Sequence, residues 1–287
     1  SEEWQAEAAT DLIDEKDRLE LRRKAMIERC GLRAGLVGGT FALAMTSMAQ
    51  ADISWVVFNI YAENEQGSGN IQLNLADGEY DPIAGTYSWS GGGMEIRDTF
   101  TNAIIATFDA GEIAYSAGGS KGGTAGAFPG VNLNFAVQAG FSDTDFTISS
   151  ALVGVGGFDN AQGRASASVS VTDVDGDGAS LTGNGADGGA YTSQYNGFVP
   201  GGSTFAEMLP SVSASAFGSN TLSDEFPGGG AFAPIDGMVN YMSSQFAFTL
   251  SALDLASGTS TYQIIPAPAG LAALAGLGLL GRRRRRA

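Results

Sequence analysis

Between residues 52 and 265 the chain alternates apolar and polar side chains with a period of two, and glycine clusters break the alternation at short intervals. Leu133, Phe135 and Val137 alternate with Asn132, Asn134 and Ala136, and Phe246, Phe248 and Leu250 with Gln245, Ala247 and Thr249. Ile71, Leu73 and Leu75 repeat the pattern, as do Ala165, Ala167, Val169 and Val171 against a row of serines. A period of two sends successive side chains to opposite faces of an extended backbone, so these segments predict half-buried strands. Turn chemistry separates them at Gly91-Gly92-Gly93, Gly118-Gly119, Gly122-Gly123, Gly156-Gly157, Gly201-Gly202 and Gly228-Gly229-Gly230. Many short strands with glycine-rich turns predict an all-β body, an antiparallel β-sandwich or jelly-roll-like fold. One short helix is expected from Thr204, where Thr204 and Glu207 have capping-box spacing, to just before Pro210. The glycines follow no fixed period, which disfavours a solenoid, and no composition break divides 52–265, which reads as one domain.

Charge is segregated along the chain. Of 15 lysines and arginines, seven precede residue 52 and five close the sequence, leaving Arg97, Lys121 and Arg164 for the body. Against these three bases the body carries 22 acidic residues, so it repels phosphate backbones and nucleic acid is excluded as a partner. Histidine is absent, which removes the commonest general base and metal ligand. The single cysteine, Cys30, lies in a segment expected to be removed, so cysteine usage is silent about redox compartment.

Residues 26–51 have the order of a secretory signal peptide. A basic stretch ends at Arg33, an uncharged run rich in Ala, Gly, Leu and Met fills 34–49, and Ala49-Gln50-Ala51 supplies a small-x-small cleavage pattern before Asp52. Residues 1–25 are charged and helix-prone, and read either as an extension upstream of a start at Met26 or as a short cytoplasmic helix. At the other end Pro266 to Gly281 is apolar without interruption and five arginines, Arg282, Arg283, Arg284, Arg285 and Arg286, follow at once. Sixteen helical residues reach about 24 Å, short of the ~30 Å hydrocarbon core, so this hydrophobic helix is a marginal anchor. The arginines belong on the cytoplasmic side, which puts the body outside, in agreement with the N-terminal signal.

The order Pro266-Ala267-Pro268, a Leu/Ala/Gly helix and an arginine cluster resembles the PEP-CTERM sorting signal of exported bacterial proteins. In that family the motif is usually Val-Pro-Glu-Pro, and Ala267 stands where the glutamate would be, so the tail is similar to a Pro-Ala-Pro variant. The resemblance covers about the last 23 residues. It implies handling by the export machinery, recognition near Pro266 to Pro268 by an exosortase-like processing enzyme, removal of tail 266–287, and delivery to the cell surface or extracellular matrix.

Within the body the sharpest motif is Asp173-Val174-Asp175-Gly176-Asp177-Gly178. Three carboxylates at alternate positions followed by glycine match the first half of an EF-hand-type calcium loop, with Asp173, Asp175 and Asp177 as metal ligands. The second half departs from it. Asn184 occupies the twelfth position where a bidentate glutamate is expected, and Asp187 reaches the site only by a different loop path. The competing reading is a solvated acidic turn. Asp143 with Asp145, and Asp224 with Glu225, are candidate acid pairs for glycoside hydrolysis, which needs carboxyls held about 5 to 9.5 Å apart. Lys121 sits in a Gly-Ser-Lys-Gly stretch that lacks phosphate-loop spacing. Trp55, Tyr61, Tyr87, Trp89, Tyr191 and Tyr195 are candidates for a sugar-stacking face. The leading expectation is a non-enzymatic surface or matrix protein, with no catalytic residue and calcium as its one candidate cofactor. Its alternatives are a carbohydrate-binding module for exopolysaccharide and a carboxylate-based polysaccharide hydrolase.

Overall fold

A computed structural model describes residues 53–117, 128–198 and 201–266. The signal segment, its cleavage pair Ala49 and Ala51, the Lys121 stretch, and the sorting residues Ala267, Pro268 and Arg282 to Arg286 lie outside the described residues. The first nine strands are β1 (Val56–Asn64), β2 (Gly67–Asn74), β3 (Glu79–Asp81), β4 (Thr86–Gly91), β5 (Met94–Arg97), β6 (Ile104–Ser116), β7 (Gly130–Ala139), β8 (Thr144–Ser150) and β9 (Val153–Asp159). The rest are β10 (Gln162–Thr172), β11 (Ala179–Gly183), β12 (Tyr191–Tyr195), β13 (Ser203–Met208), β14 (Ser211–Ala214), β15 (Ser219–Phe226), β16 (Ala233–Pro234), β17 (Met238–Leu250) and β18 (Leu255–Ile265). The only helical element among the described residues is one 3-10 turn, Leu75–Asp77.

The strands form two nine-stranded antiparallel sheets. The first runs β13-β12-β17-β8-β1-β2, with β11, β14 and β9 joined to it; the second runs β15-β10-β18-β7-β6-β4-β3, with β5 and β16 attached. Alternation builds the layers as expected. In β7 the buried positions include Val131, Leu133, Phe135 and Val137, and in β17 they include Phe246, Phe248 and Leu250. Phe135 of the second sheet meets Phe246 and Phe248 of the first, with ring centroids 4.9 and 5.8 Å apart. Phe58 of β1 meets Phe108 of β6 at 5.9 Å, so aromatic pairs join the layers in two places. The Tyr115 hydroxyl, carried by the second sheet, donates to the Val57 carbonyl and accepts from the Ala151 amide, a polar tie across the core.

The serines of β10 face outward and are locked across the strand pair. Thr172 and Ser219 share a 2.8 Å hydrogen bond, Ser223 donates to Ser168 at 2.9 Å, and Thr221 to Ser170 at 3.1 Å.

The helix expected between Thr204 and Pro210 is absent, and β13 occupies the segment. A helix of six residues closes too few hydrogen bonds to offset nucleation, whereas an extended segment pairs with β12 along its length and buries Ala206 and Met208. Glu207 does not reach back to a cap; its carboxylate accepts the amides of Asp187 and Gly189 at 2.8 and 2.7 Å.

Candidate metal site at the inter-sheet crossovers

Four connections pass between the sheets at one end of the sandwich: 140–143 from β7 to β8, 173–178 from β10 to β11, 215–218 from β14 to β15, and 251–254 from β17 to β18. Hydrogen bonds fasten each to the next. The Leu253 amide donates to the Gly140 carbonyl at 2.8 Å, and the Val174 amide to Asp254 Oδ1 at 3.3 Å. Phe217 donates its amide to Asp173 Oδ2, closing the set.

Asp173 organises the loop. The residue is 4% exposed, and its Oδ1 accepts the amides of Gly176 and Gly178, both at 3.2 Å. Burial opposes its charge, but the amides of Phe217, Gly176 and Gly178 outweigh that cost and hold its pKa below the ordinary value. Gly176 sits at φ +98°, with the Phe217 ring where a Cβ would go, so the turn closes only around glycine. Asp175 and Asp177 are exposed at the loop tip, and each of the three aspartates offers an oxygen within 4.8 Å of the other two. Oxygens on a common calcium at about 2.4 Å from it lie at most about 4.8 Å apart, and the three aspartates meet that requirement.

A fourth carboxylate, Asp254, stands beside them. It is buried, accepts the Val174 amide and the Ser251 hydroxyl, and burial together with repulsion from Asp173 and Asp175 raises its pKa. Asp177 is also raised, chiefly by its hydrogen bond with Asp175 and then by that neighbour's charge. No lysine or arginine side chain has an ion pair with any of the four among the described residues. The cluster is thus an oxygen-only, anionic donor set of the kind that hard divalent cations take.

The other expected contributors lie elsewhere. Asn184 donates to Asp145 and Thr249, at 3.2 and 3.0 Å, and Asp187 joins the Glu207 turn. Asp143 accepts the Ala252 amide at 3.2 Å, within the same group of crossovers. Asp224 and Glu225 are consecutive on β15 and so project to opposite faces, with Glu225 paired to Arg164 at 2.5 Å. The six aromatics do not share an exposed face: Tyr87 and Tyr191 are buried, Trp89 stacks on Phe108, and Trp55 is exposed. Sequence spacing could not disclose Asp254, because only the crossover topology carries it to Asp173.

The chain matches no family model and no curated protein. Among solved structures it has likenesses to the enzymatically active domain of bacteriophage CBA120 tailspike protein 4 (12% identity, 64% of this chain, 20% of that chain, TM-score 0.23). It is similar also to a carbohydrate-binding module of the β-sandwich superfamily (7% identity, 73% and 85% of the two chains, TM-score 0.19). A third likeness is to infectious bursal disease virus Gt strain (13% identity, 88% and 70%, TM-score 0.15). The chain spans about a fifth of the tailspike's length, and likenesses at these scores carry no functional argument.

Proposed function

We propose that the protein is an exported, non-enzymatic component of the cell surface or matrix, whose crossover end binds a calcium ion that stiffens it. Export rests on signal segment 26–51, and temporary retention on tail 266–287, handled by an exosortase-like enzyme. The observation that carries the calcium reading is the convergence of Asp173, Asp175 and Asp177 oxygens within 4.8 Å, with Asp254 alongside. Calcium supplies the positive charge that this end lacks and relieves the repulsion felt by Asp177 and Asp254. Three protein carboxylates leave the remaining positions of a six- to eight-coordinate ion to backbone carbonyls and water, so affinity belongs in the extracellular range of ~10⁻⁴ to 10⁻³ M.

Calorimetric titration of the purified protein with calcium tests this, with the Asp175→Ala, Asp177→Ala double variant as control. Saturable binding near one ion per chain, lost in the variant, is expected. Binding of equal strength in both proteins would overturn the site.

A further inference from the structure

We propose that, while the tail is in the membrane, the end of the sandwich opposite the calcium loop seats in the lipid head-group layer. This rests on the reading of 266–287 as an anchor. Strand β18 begins at Leu255, beside the crossovers, and ends at Ile265; β1 runs the other way across the first sheet, from Val56 to Asn64. Pairing of Gln162 with Ile265, of Ser116 with Gly130 and of Phe58 with Ser150 puts the start of β1, the end of β18 and the β3–β4 turn all at the end away from Asp173. The apolar run begins at Pro266, the residue after β18, so no linker separates sandwich from anchor.

The distances leave little freedom. Pro266, Ala267 and Pro268 span at most about 10 Å even when extended. The head-group layer is itself about 5 to 8 Å deep on each side of the hydrocarbon core. The thirteen residues left from Ala269 to Gly281 would, if helical, also fall short of that core, and a short span draws its flanking residues inward. The end of the sandwich is therefore held at the lipid surface, and its side chains suit that place. Trp55 is 67% exposed, Ile83 72% and Met238 55%, and Phe128, Phe226 and Tyr241 are exposed at the same end. Tryptophan and tyrosine favour the membrane interface, where an apolar ring and a polar group are both satisfied. Exposed rings are not confined to this end, since Phe141 and Phe217 are exposed at the other. The anchor's attachment is what selects this one.

Tryptophan fluorescence tests the proposal. The chain from Asp52 onward, the form that export leaves before the tail is removed, is reconstituted into vesicles of phosphatidylethanolamine and phosphatidylglycerol, with either Trp55 or Trp89 retained as the sole tryptophan. Flotation confirms that the tail inserts, and phospholipids brominated near the head group report contact. A chain that floats, with Trp55 emission shifted to shorter wavelength and quenched while Trp89 is spared, supports the seat. A chain that floats with neither tryptophan quenched overturns it and leaves the anchor standing. A chain that fails to float overturns the anchor, and the seat falls with it.

Discussion

Gly258 lies opposite Phe135 across β18 and β7, and a Cβ at that glycine would stand 2.4 Å from the Phe135 ring. The ring occupies the space that glycine leaves and packs on Phe246 and Phe248 of the facing sheet. Phe135→Ala should cost about 3 to 5 kcal/mol in chemical denaturation, because a cavity replaces an inter-sheet contact. Gly258→Ala should cost about 1 to 3 kcal/mol by overpacking, and less in a Phe135→Leu background, which a double-mutant cycle reads directly. Asp98 is a second residue on which local structure turns. Its carboxylate accepts the Thr101 hydroxyl and the amides of Thr101, Ser68 and Phe100, and these hydrogen bonds, with the Thr101 hydroxyl foremost, lower its pKa to about 2. A carboxylate lowered in the folded state adds stability above its unfolded pKa and loses it as pH falls through the folded value. Asp98→Asn should therefore remove part of the acid-induced loss of stability between the ordinary aspartate pKa of 3.8 and about 2, measured as melting temperature against pH. An unchanged acid limb in that variant would contradict this role.

At the scale of elements, the crossover 173–178 divides its aspartates by role. Asp173 holds three backbone amides, so Asp173→Ala should lower the melting temperature even in chelator, whereas Asp175→Ala should leave the calcium-free protein nearly unchanged and weaken only its response to calcium. Acid should also abolish the calcium response. Asp177 and Asp254 have raised pKa values, so they protonate first, and the response should begin to fade above pH 3.8 as pH is lowered. A calcium-induced shift that persists after these carboxyls are protonated would count against them. The strands at 132–137 and 245–250 were legible in the sequence because each buries one face, which forces apolar residues to recur every second position. Segment 203–208 was misread, since Thr204 and Glu207 carry a local capping pattern while the pairing with β12 that decides the matter is non-local. The aspartate motif was legible from Asp173 to Gly178 because it is contiguous, and Asp254 was not, because antiparallel crossovers bring distant sequence together without a spacing rule.

At the scale of the whole molecule, a long acidic sandwich has two chemically different ends. One gathers the inter-sheet crossovers and their carboxylates; the other carries Trp55, Ile83 and the approach to the apolar tail. The eleven residues of β18 separate them by about 36 Å at 3.3 Å per residue, so in a chain anchored as proposed the aspartate loop would face away from the membrane. A divalent ion bound there, as proposed, would tie together crossovers between the two sheets at the end away from the tail. If it binds only the folded protein, stability rises with its concentration, by about 2.7 kcal/mol at one hundred times the dissociation constant. The most direct test is the melting temperature of the purified protein in calcium, in magnesium and in chelator, beside the Asp175→Ala, Asp177→Ala variant. A concentration-dependent rise in calcium that exceeds the magnesium effect and vanishes in the variant is the predicted result. A melting temperature that ignores calcium, or rises equally in the variant, would contradict the account.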